Sequence, residues 1–162
     1  MFTNFFRDGL KQKRTRLGLK SLLVLTALVV GVTSSLAWAI QSPSLEVTVT
    51  YAGSDGEVSS ENSLYVVIFD TASMMQASPV AQAIITENGG TVSFSNLTAS
   101  PVYVAAFYDT HGTATVGGAA PPSGSPANQY AQAGSYVAAP IALVAGETVA
   151  VSVQITDFFR MP

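Results

Sequence analysis

The chain has no cysteine, one histidine and one tryptophan, and only 10% of its 162 residues are charged. Without cysteine there is no disulfide, no thiolate nucleophile and no lipid-attachment site, so packing alone must stabilise the fold. A single imidazole falls short of the three or four nitrogen, sulfur or carboxylate ligands that zinc takes. Basic side chains are almost missing beyond Lys20, where Arg160 is the sole example and lysine does not occur. Nine of the ten carboxylates lie in that same part. Nucleic acid is therefore excluded as a partner, because phosphate binding depends on Lys and Arg to displace counterions. Anionic membrane surfaces are equally unsuited, and the acidity itself serves solubility.

What the chain does have is a basic start. Arg7, Lys11, Lys13, Arg14, Arg16 and Lys20 precede an uncharged stretch, residues 21–40, whose apolar core runs over 22–32. Ala37 and Ala39 then stand in A-x-A spacing with Trp38 at the variable position. This order predicts a signal-peptide helix within residues 1–39, cut after Ala39, because Lys and Arg stay in the cytoplasm while a short apolar segment enters the membrane. The uncharged stretch is just long enough to span a bilayer core of roughly 30 Å, so an uncleaved anchor is the alternative. Either way residues 40–162 lie outside the cytoplasm, periplasmic or secreted after cleavage and held at the inner membrane without it. Membrane contact is expected only through the leader.

Residues 40–162 suit one domain. Leu45, Val47, Val49 and Tyr51 alternate with Glu46, Thr48 and Thr50, the period of a half-buried strand. Residues 64–69 are apolar on both faces, as in a central strand, and 102–108 form a second such run. The two echo each other, LYVVIFDT and VYVAAFYDT, as convergent strand composition does, and both end in Asp then Thr. Residues 80–86 and 91–96 flank Glu87-Asn88-Gly89-Gly90, and Asn-Gly predicts a β-hairpin because both residues tolerate positive φ. Residues 140–144 and 148–155 predict a closing hairpin around Ala145-Gly146-Glu147. With no helical periodicity after the leader, these seven strands predict an all-β fold, an antiparallel β-sandwich. A Gly-, Ala- and Pro-rich loop, residues 110–138, interrupts them and is far longer than an ordinary connection. Its Tyr130 and Tyr136 are candidate binding residues, placed either to anchor the loop or to meet a ligand.

Chemistry-bearing residues are sparse. His111 follows a predicted strand in Asp109-Thr110-His111-Gly112, and the plainer reading is a loop histidine. Asp70 and Asp109, if they end neighbouring strands at one edge, form with His111 a candidate cation site, with calcium as the ion and Asp55, Glu57 and Glu61 as further oxygen donors. Otherwise the two Asp residues bond local amides at strand ends. Met74, Met75 and His111 raise copper as a second metal, against the ordinary use of methionine to fill gaps in packing. Phe158 and Phe159 are expected to pack over one end of the sandwich. There is no G-x-S-x-G elbow.

The segment 101–112, PVYVAAFYDTHG, with the strand pair before it, resembles the prealbumin-like (carboxypeptidase-regulatory-like) β-sandwich modules of exported bacterial proteins. Tyr103, Val104, Ala106, Phe107, Asp109 and Gly112 carry the likeness. The resemblance implies a small exported sandwich; the second Asp and the Gly-Asn-Gly often found in that turn are absent here. Two relatives of that shape are excluded by chemistry. A Lys-to-Asn isopeptide needs a lysine that residues 40–162 lack, and the purine-product hydrolase resembling transthyretin uses several histidines.

The expectation is thus a non-enzymatic exported binding module without a resident cofactor, its partner an exported protein or a carbohydrate. The alternatives are a cation-binding accessory protein and a small hydrolase using Asp109 and His111.

Overall fold

A computed structural model of the chain describes residues 41–118 and 120–162. The leader, with its cleavage residues Ala37 and Ala39, lies outside the described residues. Seven strands follow: β1 (Ser44–Tyr51), β2 (Leu64–Phe69), β3 (Ala81–Ile85), β4 (Thr91–Ser95), β5 (Tyr103–Tyr108), β6 (Ala127–Gln129) and β7 (Thr148–Ile155). The sole helical element among the described residues is one 3₁₀ turn, Met74–Gln76. The strands form a three-stranded sheet, β4-β1-β7, and a four-stranded sheet, β3-β2-β5-β6.

Alternation decides which face each strand buries. Leu45, Val47, Val49 and Tyr51 of β1 point into the same apolar cluster as Leu64, Val66 and Ile68 of β2, and as Val151, Val153 and Ile155 of β7. The two sheets therefore share one core, a sandwich-like arrangement, and each fully buried Val, Ile or Leu side chain contributes about 1.5–3 kcal/mol. Glu46 and Thr48 face outward, where Thr48 Oγ1 and Thr91 Oγ1 lie 2.7 Å apart across the β1–β4 pair.

Three expectations about pairing are corrected. Residues 81–85 and 91–95 form no hairpin: β3 pairs with β2 and β4 with β1, so the Asn-Gly segment arches from one sheet to the other. Asn88 explains why. Its Oδ1 accepts the Tyr51 amide at 2.8 Å and its Nδ2 donates to the Tyr51 carbonyl at 2.9 Å, so the side chain takes the place of a strand beside the end of β1. Gly89, at φ 78°, supplies the left-handed turn, and five residues easily span the ~10 Å between packed sheets.

The sheets are not wholly antiparallel either. β1 and β7 run parallel through eight registered pairs, from Ser44 opposite Thr148 to Tyr51 opposite Ile155. The first and last strands can do so because nearly the whole domain lies between them, and a parallel pair needs a long connection.

Residues 140–144, finally, are not a strand paired with β7. Ile141 makes a single antiparallel bridge with Val102, its amide donating to the Val102 carbonyl at 2.8 Å and its carbonyl accepting the Val102 amide at 2.9 Å. Pro140 has no N–H with which to extend a ladder, while Ile141 and Leu143 pack on the core. The seventh strand is instead β6, inside the long loop, where Ala127, Asn128 and Gln129 pair with Phe107, Ala106 and Ala105.

Candidate functional site

β2 and β5 are apolar on both faces because their second face is also used. Tyr65, Val67 and Phe69 of β2 turn away from the shared core and stand opposite Phe107, Ala105 and Tyr103 of β5. This outer surface forms a second apolar cluster with Ala114, Met74 and Ala77, which the loops lay across it. The cover is incomplete. A groove of about 1160 Å³ remains over the four-stranded sheet, with the 72–82 segment and Val116 to Gly118 on one side, and Tyr136 and the C-terminal tail from Phe159 on the other.

The walls are held by hydrogen bonds. Tyr65 Oη donates to the Thr115 carbonyl at 3.3 Å, and the Gly117 amide donates to Gln82 Oε1 at 2.5 Å. Gln129 Nε2 donates to the Tyr136 carbonyl at 2.7 Å, fixing the opposite wall to β6. The tail is paired alongside: the Ala127 amide donates to the Phe159 carbonyl and the Met161 amide to the Ser125 carbonyl, both at 2.9 Å. Val80, Val116, Tyr136 and Phe159 are exposed large apolar side chains, and all four line this groove. Such a gathering, with amides at its margin, makes this face a candidate interaction surface.

A polar latch at one end of the core fixes the tail. Tyr51 packs its ring on Tyr108 at a centroid distance of 4.2 Å and donates its hydroxyl to Asp157 Oδ1 at 2.5 Å. The same hydroxyl accepts the Asp55 amide at 2.8 Å. Asp157 Oδ2 accepts the Ser54 amide at 2.7 Å, and Arg160 Nη1 donates to Asp55 Oδ2 at 2.7 Å. Burial, then the bond to Asp157, pushes the Tyr51 hydroxyl up to about 12. The bonds from Tyr51 and the Ser54 amide, helped by Arg160, hold the Asp157 carboxyl below the usual carboxylate range. Gly53 leaves room for this latch, because a Cβ there would collide with Asp157 Oδ1 and the Tyr51 hydroxyl and push them apart.

The candidate cation residues are not brought together. β2 and β5 are antiparallel, with Leu64 opposite Tyr108 and Phe69 opposite Tyr103. Asp70 and Asp109 therefore sit at opposite ends of the sheet, roughly 23 Å apart along the strands, and the shared-edge arrangement is corrected. Asp109 is fully buried; its Oδ1 accepts the His111 amide at 3.1 Å and its Oδ2 the Ala114 amide at 2.6 Å. The carboxylate thus shapes its own loop. His111 is exposed, its Nδ1 2.9 Å from Thr110 Oγ1, so Asp109 does not orient the imidazole as a base. Asp55 is committed to Arg160. Among the described residues no group of three or more His, Asp and Glu side chains is placed to hold a metal ion.

The two loop tyrosines divide their roles. Tyr130 is partly buried against the shared core, its amide donating to Val104 and its carbonyl accepting from Ala139, both at 2.9 Å. Tyr136 is 77% exposed and lines the groove, its ring 5.6 Å from that of Phe159. Phe158 does not pack over the sandwich end; it stands 80% exposed with its ring edge against Phe159. Gln82, Phe107, Gln129 and Phe159 are groove residues that sequence reasoning did not single out. The available signal was the outward half of the two doubly apolar strands, a surface that needs either cover or a ligand.

Fold and groove together define an all-β protein of two sheets with an open, largely apolar cleft on the outer face of the larger sheet. No family model matches the sequence, and no curated protein and no solved structure matches the chain.

Proposed function

We propose that the chain is a non-enzymatic exported binding module, a β-sandwich of prealbumin-like type, whose ligand lies in the groove across β3, β2, β5 and β6. The groove itself carries this reading, since exposed apolar side chains and amides converge there over a rigid sheet floor. Two features support a binding role over catalysis. Among the described residues the lining contains no His, Asp or Glu side chain to act as general acid or base, and His111 and Asp109 lie outside it. Export is supported by the leader's basic segment, apolar core and A-x-A spacing.

Hydrogen exchange of the purified chain, with and without the fractionated contents of the exported compartment, tests the reading. Binding in the groove slows exchange in residues 72–82, 115–118 and 127–136 and in the tail. Protection confined to the loops after β1 and β5, or none from any fraction, refutes it.

A further inference from the structure

We propose that the groove takes a segment of an uncharged polysaccharide, with sugar ring faces on Tyr136 and Phe159 and sugar hydroxyls on the amides of Gln82 and Gln129. This inference rests on reading the groove as the binding site and adds the ligand's class.

Size speaks first. At about 1160 Å³ the groove exceeds the roughly 300–1,000 Å³ of ordinary small-molecule pockets and is open, which suits a chain molecule better than a metabolite. Its chemistry comes next. Tyr136 and Phe159 present rigid rings, 77% and 39% exposed and held edge to face, which offer flat apolar area to the C–H face of a pyranose at low entropic cost. Amide side chains carry both donors and acceptors and so match hydroxyl groups, which are also both. Gln82 and Gln129 are each fixed at one end by a backbone group, Oε1 by Gly117 and Nε2 by Tyr136. That anchoring sets the direction of the Gln82 NH₂ and the Gln129 carbonyl oxygen in advance of ligand.

Charge selects a neutral ligand. Among the described residues the single charged side chain in the lining is Arg160, and its guanidinium is already bound to Asp55 and lies 3.8 Å from Asp157. Nine carboxylates occupy residues 40–162 and none lines the groove, so a polyanion meets repulsion from the surrounding surface and a cationic chain finds its partners elsewhere.

Backbone accounting disfavours an extended peptide. Peptides that dock on sheets gain affinity by pairing with a free strand edge. Here the floor is β2 and β5, the two inner strands, whose main-chain groups face neighbours on both sides. A polysaccharide needs no such edge.

The test uses the purified full-length chain in affinity electrophoresis through gels containing soluble β-glucan, α-glucan, mannan or xylan, with alginate as an anionic control. A library of uncharged peptides is screened in parallel. At least one neutral polysaccharide should retard the chain and alginate should not. Tyr136→Ala and Gln82→Ala should each weaken retardation roughly five- to tenfold, with unchanged circular dichroism. Val144→Ala, exposed away from the groove, should have no effect. Retardation by none of the four neutral polymers overturns the proposal, as does equal binding of alginate. Tyr136-dependent binding of peptides alone overturns the sugar and leaves the groove standing, whereas loss of Tyr136 dependence in every arm removes both.

Discussion

The Tyr51 hydroxyl donates to Asp157 Oδ1 at 2.5 Å, joining the end of the first strand to the segment just beyond the last across 106 positions of sequence. β1 and β7 are already parallel neighbours, and this bond carries their alliance into the C-terminal tail, which forms one wall of the groove. The latch and the groove are therefore mechanically connected.

Tyr51→Phe keeps the ring stacked on Tyr108 and deletes the hydroxyl. It should lower stability by about 1.5–3 kcal/mol in chemical denaturation, the worth of a hydrogen bond to a charged acceptor, and speed amide exchange in residues 158–161. An unchanged midpoint with unchanged tail exchange would show that the latch does not hold the tail.

The same residue sets an alkaline limit. Burial and Asp157 raise Tyr51 in the fold to about 12, against about 10 in an unfolded chain. Between those values the folded form retains a proton that the unfolded form has lost, so this stability is complete below pH ~10 and disappears as pH rises through the folded value. Denaturation midpoints should fall over that window, and Tyr51→Phe should flatten the decline.

Asp157 acts at the other end of the scale with opposite sign. Its folded pKa is depressed, so its contribution is present above the unfolded value of about 3.9 and is lost as pH falls through the folded one. Asp157→Asn should be less stable than the parent at neutral pH, and the gap between them should narrow in urea melts taken at pH values progressively below that unfolded value. A gap that stays constant across that range would contradict the assignment.

Two isoleucines on paired strands should respond differently to truncation. Ile68 is fully buried in the shared core, and Ile68→Ala should cost about 2–5 kcal/mol. Ile84 is 36% exposed on β3, and Ile84→Ala should stay within about 0.5 kcal/mol. Comparable losses would mean that β3 is covered in solution by something absent from the described fold.

Thermal melts with calcium, with copper and with chelator should superimpose, because Asp70 and Asp109 are separated by the length of β2 and Asp109 already binds loop amides. A shift of several degrees with either ion would require donors that the described residues do not bring together.

Sequence alone determined what each residue's chemistry and period determine. Alternation in residues 45–51 and 149–155 fixed which side chains enter the core, since successive strand residues point to opposite faces whatever their neighbours. The doubly apolar runs 64–69 and 102–108 announced inner strands, and the structure makes β2 and β5 the two inner strands of the larger sheet. The missing cysteine, lysine and histidine limited the chemistry in advance.

Which strand lies beside which was decided by tertiary structure, because period marks a face and carries no information on the partner. Asn88-Gly89 reads locally as a hairpin, yet the Asn88 amide finds Tyr51 on another strand and the turn becomes an arch. β6 has the polar sequence Ala-Asn-Gln and becomes a strand because the edge of β5 offers it a ladder. The groove was hidden for the same reason. Its floor comes from two strands and its walls from segments far apart in sequence, and only packing of the tail against residues 124–127, held by Arg160 and Tyr51, brings Phe159 and Tyr136 to face Gln82 across one sheet.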